Sequence, residues 1–351
     1  MIKQILEYVW IDGNGELRSK IKINCDENVI NINELNRCEL WNFDGSSTNQ
    51  PSNITSDITY DNISDIILNP VRLYYNTLIK SPPNALFVFC ECLNKDLTPH
   101  ISNFRKKCKD TNSICETFEC FFGIEQEYVI FERNNTPYKW KDLKNPGLTE
   151  IQGPYYCSVG GDRNFGRQIS NEHLSCCIES NINICGTNSE VMASQWEYQI
   201  GVCDALQVSD DLYMSRYLLH RISEKYDCYI SFHPKPLENW NGSGGHTNFS
   251  TSAMREPGGL DIIKKACEKL ARTHESHMKV YGKSNEQRLT GLHETSSVTD
   301  FSWGISNRSK SIRIPLNVAK DKCGYLEDRR PSANLDPYLV CGILCETICF
   351  E

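Results

Sequence analysis

Residues 123–131 read Gly123-Ile124-Glu125-Gln126-Glu127-Tyr128-Val129-Ile130-Phe131. Rich in β-branched and aromatic residues, the run reads as a strand, extended from Phe121 to Phe131. Strand side chains alternate faces, so Glu125 and Glu127 share one face while Ile124 and Tyr128 take the other. Two adjacent carboxylates in an apolar strand repel each other unless a cation lies between them. Hard divalent ions such as Mg2+ and Mn2+ prefer such oxygen ligands. The competing reading is a solvent-facing sheet edge.

Upstream of this strand the pattern is different. Alternating residues 5–11 and 17–23 flank Asp12-Gly13-Asn14-Gly15, a hairpin signature. The run Ala85–Cys92 after Ser81-Pro82-Pro83-Asn84 reads as a further strand. A small strand-rich domain over 1–97 and a larger domain over 104–351 follow from this organisation, the second opening on a polar helix at Phe104. Further helices are expected over Ile169–Ser180, Asp210–Tyr226 and Leu260–Tyr281. The class is α+β.

The composition narrows the function. With 37 Lys+Arg against 45 Asp+Glu, the chain carries a formal charge of -8, which disfavours non-specific binding to nucleic acid or acidic membranes. The first residues, MIKQILEYVWIDGNGELR, alternate rather than form an apolar signal core, and no run suffices for a membrane span, so a cytoplasmic chain is expected. Among 18 cysteines there is no Cys-x-x-Cys, and a chain of 351 residues needs no disulfide staples. Reduced, mostly buried thiols are expected. Cys341, Cys345 and Cys349 at i, i+4, i+8 read as a core stripe rather than three metal ligands lacking a fourth.

Other residues invite a chemical reading. Glu190 and Glu197 flank Val191-Met192-Ala193-Ser194-Gln195-Trp196. On an uninterrupted strand their separation would place them on opposite faces, so shared metal binding requires a bend. Glu327 sits in Gly324-Tyr325-Leu326-Glu327-Asp328-Arg329-Arg330-Pro331. Each acid taken singly is more often a surface or salt-bridged residue than a ligand. Asn239-Trp240-Asn241-Gly242-Ser243-Gly244-Gly245-His246-Thr247-Asn248-Phe249-Ser250 is glycine-rich, letting backbone N–H groups approach an anion, with His246 a candidate metal ligand. A plain turn competes, since neither a P-loop ending nor a dinucleotide fingerprint is present. His274-Glu275-Ser276-His277 has its second His one place too early for a zinc-protease helix and reads as an exposed helix face. Arg308, Arg313, Arg329 and Arg330 form a late cluster suited to carboxylate or phosphate oxygens, with surface salt bridges as the alternative.

Taken together and in order, these segments resemble glutamine synthetases of the short eukaryotic-like type. The resemblance rests on Trp41-Asn42-Phe43-Asp44-Gly45-Ser46-Ser47, Gly123 to Tyr128, Gln152 to Cys157, Glu190 to Gly201, Asn239 to Ser250, Leu289-Thr290-Gly291-Leu292-His293-Glu294-Thr295-Ser296, Asn307 to Pro315 and Glu327 to Asn334. It implies a small N-terminal β-grasp domain before a larger catalytic α/β domain. It further implies a homo-oligomer of stacked rings, of decameric size, with sites shared between neighbouring subunits. The implied reaction joins ammonia to L-glutamate through γ-glutamyl phosphate, with ATP as co-substrate and two or three Mg2+ or Mn2+ ions. By similarity Glu127, Glu190 and Glu197 hold one metal, and Glu125, His246 and Glu327 another.

The same resemblance assigns the remaining roles. Asp44, Glu294, Arg308 and Arg329 become catalytic, with Asp44 and Asp57 binding ammonium and the Glu294 loop closing over the intermediate. Asn239, Trp240, Asn241, Gly242, Arg288, Arg308 and Arg329 position glutamate. Glu125, Phe121, Glu197, Tyr198, Gln199, Ile200, Gly201, Asn248, Phe249, Ser250, Arg308, Arg313, Tyr325, Leu326 and Glu327 line the nucleotide site. The sequence departs from the family pattern at Phe121, where Trp is usual, and at Trp303, where a small residue is usual. Competing readings are a γ-glutamyl-amine ligase, a catalytically silent ring of the same fold, and a dinuclear-metal hydrolase.

Overall fold

The alternating segments around Asp12 form an antiparallel pair, β1 (Ile2–Ile11) and β2 (Leu17–Asp26). The Asp12 carboxylate closes the turn by accepting from the Asn14 and Glu16 amides at 2.8 and 3.0 Å. Gly15 there has a φ of +86°, a region open to glycine. The computed structural model describes residues 2–51, 64–140, 153–238 and 240–350. Two units are distinguished: Met1–Lys107 with Cys176–Ile182, and Cys108–Ser175 with Asn183–Glu351.

The first unit adds β3 (Trp41–Asp44), β4 (Asp65–Tyr75) and β5 (Leu86–Leu93). Its sheet runs β2-β1-β5-β4-β3, with β1 and β5 parallel, the mixed sheet of a β-grasp domain. Leu6, Tyr8 and Trp10 project from one face of β1 into a core with Ile66, Leu68, Val88 and Cys90. Asp44 ends β3 and caps the turn Gly45–Thr48.

After α1 (Phe104–Ile114) comes the strand on which the fold is read, β6 (Phe121–Glu132). The following elements are α2 (Arg167–Glu179), β7 (Ile184–Ser189), β8 (Gln195–Cys203), α3 (Ala205–Lys225), β9 (Cys228–Ser231), β10 (Gly245–Ser250) and α4 (Ser252–Arg255). Then come α5 (Gly259–Arg272), α6 (His274–Met278), β11 (Trp303–Ile305), β12 (Ile312–Ile314), α7 (Leu316–Asp321), β13 (Leu326–Asp328) and α8 (Pro337–Cys345). The large sheet runs β11-β12-β13-β10-β6-β8-β7, with β9 beside β6, and only the β11–β12 pair among these is parallel.

Register sorts this sheet into two chemically different faces. Opposed residues of antiparallel strands share a face. The pairs Glu125↔His246, Glu127↔Glu197 and Asn248↔Glu327 therefore stand on one side. Ile124, Tyr128, Ile200, Phe249 and Leu326 stand on the other, all fully buried. There α3 packs against β6, β8 and β9.

Three expectations change. The helix expected near Asp210 begins at Ala205, because the Asp204 carboxylate caps it through the Leu206 and Gln207 amides at 2.8 and 3.0 Å. The single helix expected over Leu260–Tyr281 is two, parted at Thr273, whose hydroxyl bonds back to the Lys269 carbonyl at 3.2 Å. The His274–His277 face is buried, not exposed, since i and i+3 share a helix face and this one turns inward. His277 lies 2.5 Å from the Tyr281 hydroxyl and 2.8 Å from that of Thr347, while His274 lies 3.0 Å from Arg330.

Candidate active site

Four strands and one hairpin loop deliver the acids and His246. Glu125 and Glu127 come from β6, His246 from β10, Glu197 from β8 and Glu327 from β13. Glu190 lies not on a strand but just beyond β7, in the turn that returns the chain into β8. That reversal supplies the bend that a separation of seven residues demands. The Glu190 carboxylate is fixed there by Asn188 Nδ2 at 3.0 Å and the Val191 amide at 3.2 Å.

Side-chain geometry gathers these groups. Ligand atoms of Glu125, His246 and Glu327 lie within 4.8 Å of one another, as do those of Glu127, Glu197 and His246. His246 Nδ1 is 3.5 Å from Glu125 and 3.6 Å from Glu327. The first triad is the one the resemblance implies. The second contains His246 where Glu190 is implied.

Burial makes the cluster electrostatically costly. Desolvation pushes Glu127 and Glu197 up from the carboxylate range, Glu197 well above it, and drives Glu190 up to about 8 with Glu127 as the next cause. Burial also holds His246 well below its usual value, reinforced by Arg329 and Arg288, so the imidazole is neutral and able to ligate. Neutral imidazole among desolvated carboxylates is a donor set suited to a divalent cation.

Cations ring the acids. Glu327 accepts from Arg329 Nη1 at 2.7 Å and from Arg313. Arg288 reaches His246 Nε2 at 3.0 Å, and burial lowers it to about 10. Arg308 is exposed, interacting with Tyr156 and electrostatically with Glu294 and Glu327. Glu294 sits at an exposed loop where it and His293 have φ of 59° and 53°, a left-handed pair that non-glycine residues rarely adopt.

The glycine-rich loop serves closeness rather than turning. Gly244 N donates to the Glu127 carboxylate at 2.8 Å, and a Cβ at Gly244 would meet His246 Nε2 at 2.6 Å and Arg288 Nη2 at 2.7 Å. A Cβ at Gly242 would meet the Pro234 carbonyl at 2.4 Å. Asn241 is buried, and its Oδ1 has no hydrogen-bond partner among the described residues. Trp240 is buried beside Tyr155 and Trp140.

Not every expected residue joins the cluster. Gln199, Asn248 and Ser250 share its face, and Asn248 Nδ2 donates to Glu125 at 2.9 Å. Phe121 is exposed on that face, with the Arg255 guanidinium 4.3 Å from its ring centre. The side chains of Tyr198, Ile200, Phe249 and Leu326 point to the core, leaving only their backbones available to a ligand. Gly201 lies at the β6–β8 bulge, and Tyr325 interacts with Glu125 and Glu327. Asp44 belongs to the other unit, where Ser46, Ser47 and Ser64 hydroxyls hold its carboxyl well below the usual range. Asp57 and Asn239 lie outside the described residues.

Sequence reasoning missed the supports. Gln195 Nε2 bridges Glu127 at 3.3 Å and the Gly242 carbonyl at 3.0 Å. Gln126, between the paired acids, projects to the back, where its Oε1 accepts from Arg216 Nε and Nη2 at 2.9 and 2.6 Å. A glutamine alternating onto the apolar face of Ile124 and Tyr128 is the signal that could have revealed a buried partner.

A family model described as glutamine synthetase, catalytic domain, matches residues 105–274. The glutamine synthetase of Candida glabrata is 48% identical over 348 residues, covering 99% of this chain and 89% of the relative. The chain belongs to the glutamine synthetase family. The glutamine synthetase of Saccharomyces cerevisiae is 46% identical, covering 98% of this chain and 89% of its own length, and that of Amanita muscaria 47%, covering 97% and 92%. A cryoEM structure of Plasmodium falciparum glutamine synthetase matches the fold with a TM-score of 0.74 at 19% identity, covering 98% of this chain and 71% of that one. The glutamine synthetase frame thus holds the strand-borne acids described above. No helix among the described residues is long and apolar enough to cross a membrane.

Proposed function

We propose that this chain is an ATP-dependent glutamate–ammonia ligase, forming L-glutamine, ADP and phosphate from L-glutamate, ammonia and ATP. The observation that carries this reading is the convergence of Glu125, Glu127, Glu197, Glu327 and His246 on one sheet face, edged by Arg288, Arg313 and Arg329. Carboxylate is a poor acyl donor, so the γ-carboxylate oxygen of glutamate first attacks the γ-phosphorus of ATP. An O–P bond forms, the bridging P–O bond to ADP breaks, and γ-glutamyl phosphate results. Ammonia nitrogen then attacks the acyl carbon and phosphate departs.

The residues divide this work. Glu127, Glu190 and Glu197, with Glu125, His246 and Glu327, would hold divalent ions. Mg2+ or Mn2+ bound there supplies charge neutralisation and Lewis acidity toward phosphoryl oxygens. Arg308, Arg313 and Arg329 stabilise charge on the transferring group. Asn241 and Gly242 with Arg288 orient glutamate, and the Glu294 loop excludes water that would hydrolyse the acyl phosphate. Asp44, with Asp57, takes the proton that ammonium must lose before attack. We assign Asp44 to the site of a neighbouring subunit in a decamer of stacked rings, in a reducing cytoplasmic setting.

The test is purified protein with ATP, glutamate, ammonium and Mg2+ or Mn2+. Phosphate release is expected only when all are present, matched by glutamine. ATP hydrolysis without glutamine, under metal-replete conditions, overturns the reading.

A further inference from the structure

Four cysteines from distant parts of the chain meet away from the carboxylates. Cys115 and Cys120 bracket the tight turn Glu116–Phe118 that leads into β6, where Glu119 has a φ of 47°. Cys345 ends α8, and Cys349 follows in a π-helical turn, Glu346–Phe350. The wider turn departs from the i, i+4, i+8 stripe, leaving Cys341 and Cys345 in the core while Cys349 is only half-buried. Lys269 Nζ holds this turn through the Ile348 carbonyl at 2.8 Å. Cys120 Sγ and Cys349 Sγ lie 3.6 Å apart.

From this geometry we propose that Cys120 and Cys349 form a reversible disulfide with a small-molecule disulfide as oxidant, joining the start of β6 to the end of α8. The two sulfurs need close only to the about 2.05 Å of a disulfide. Neighbouring thiols already favour the thiolate at Cys120: hydrogen bonds from Cys345, then Cys349, hold it well below the thiol range, and Arg255 adds positive charge.

The chemistry balances in two exchanges. The Cys120 thiolate attacks one sulfur of glutathione disulfide. The S–S bond of the oxidant breaks, a mixed disulfide forms on Cys120, and one glutathione thiolate leaves, taking up the proton of the Cys349 thiol, whose hydrogen bond to Cys120 and burial hold it above the usual thiol range. Cys349 Sγ, so deprotonated, then attacks Cys120 Sγ and expels the second glutathione. Two cysteines are oxidised as one disulfide is reduced to two thiols.

The test incubates the full-length protein with glutathione disulfide, alkylates remaining thiols, and maps peptides without reduction. A Cys120–Cys349 linked peptide is expected, removed by dithiothreitol, absent from Cys120→Ser and Cys349→Ser, and retained in Cys157→Ser, which alters an exposed cysteine. The oxidised protein is expected to melt at a higher temperature and to revert on reduction. Mapping of the unaltered chain decides the matter even where a variant folds poorly. A Cys115–Cys345 or Cys120–Cys345 link overturns the pairing. Persistent glutathione on Cys120 or Cys349 without an internal bond, or co-purified zinc that blocks oxidation at all four thiols, overturns the proposal.

Discussion

At the scale of single residues, the site works against the stability of its own empty form. Glu190, raised to about 8 by burial and by Glu127, starts from an ordinary value of 4.5. Between those values the folded state binds the extra proton, so stability falls as pH rises across the window. Metal-free protein is therefore expected to lose melting temperature steadily from about pH 5 to about pH 8. Saturating Mg2+ or Mn2+ reverses the loss, by about 2.7 kcal/mol at a hundredfold excess over Kd. Differential scanning fluorimetry with and without metal across this range checks it, and a flat apo profile contradicts it. A second residue-scale prediction concerns Gly244, whose missing Cβ leaves room for His246 and Arg288. Gly244→Ala is expected to weaken metal binding about 10- to 100-fold by displacing a ligand's support, with unchanged circular dichroism. Isothermal titration with Mn2+ measures that change.

At the scale of elements, β13 is held by charges on its hidden face. Asp328 and Arg330 are both fully buried and paired at 2.7 Å, and Asp328 also accepts from the Tyr281 hydroxyl at 2.7 Å. Their neighbour Glu327 looks the other way, into the site, so the pair fixes the strand that presents it. Asp328→Leu leaves a buried guanidinium unpaired and is expected to destabilise by about 3–5 kcal/mol. The double change with Arg330→Leu is expected to recover most of this, as read by urea unfolding of all three proteins. Alternation alone gave the shared face of Glu125 and Glu127, because strand periodicity is a local property of the backbone. It could not give the register that sets His246 opposite Glu125, which depends on strands distant in sequence; the turn that frees Glu190 from β8 is local, but alternation does not mark where β7 ends. His274 and His277 were misplaced for the same reason: nothing local tells a helix which side meets Arg330 and Thr347. The role of Glu327 needed the resemblance, because one acid among arginines has no distinguishing period.

At the scale of the whole molecule, the proposed chemistry draws on both units of the chain. The carboxylates and His246 lie in the second unit, whereas Asp44 ends a strand of the first. If Asp44 serves a neighbouring subunit, a Asp44→Asn chain still offers an intact carboxylate cluster, and a Glu327→Gln chain still offers an intact Asp44. Neither forms a complete site with copies of itself. Mixed rings do, wherever a Glu327→Gln chain donates Asp44 to the cluster of a Asp44→Asn chain. With equal amounts and random assembly in a closed ring, about a quarter of the sites are complete. Co-expression of the two variants with different tags and tandem purification are therefore expected to yield glutamine synthesis near that fraction of the unaltered enzyme, while each variant alone stays near background. Were each site built within one chain, every copy would carry a defect, and the mixture would be as inactive as its parts.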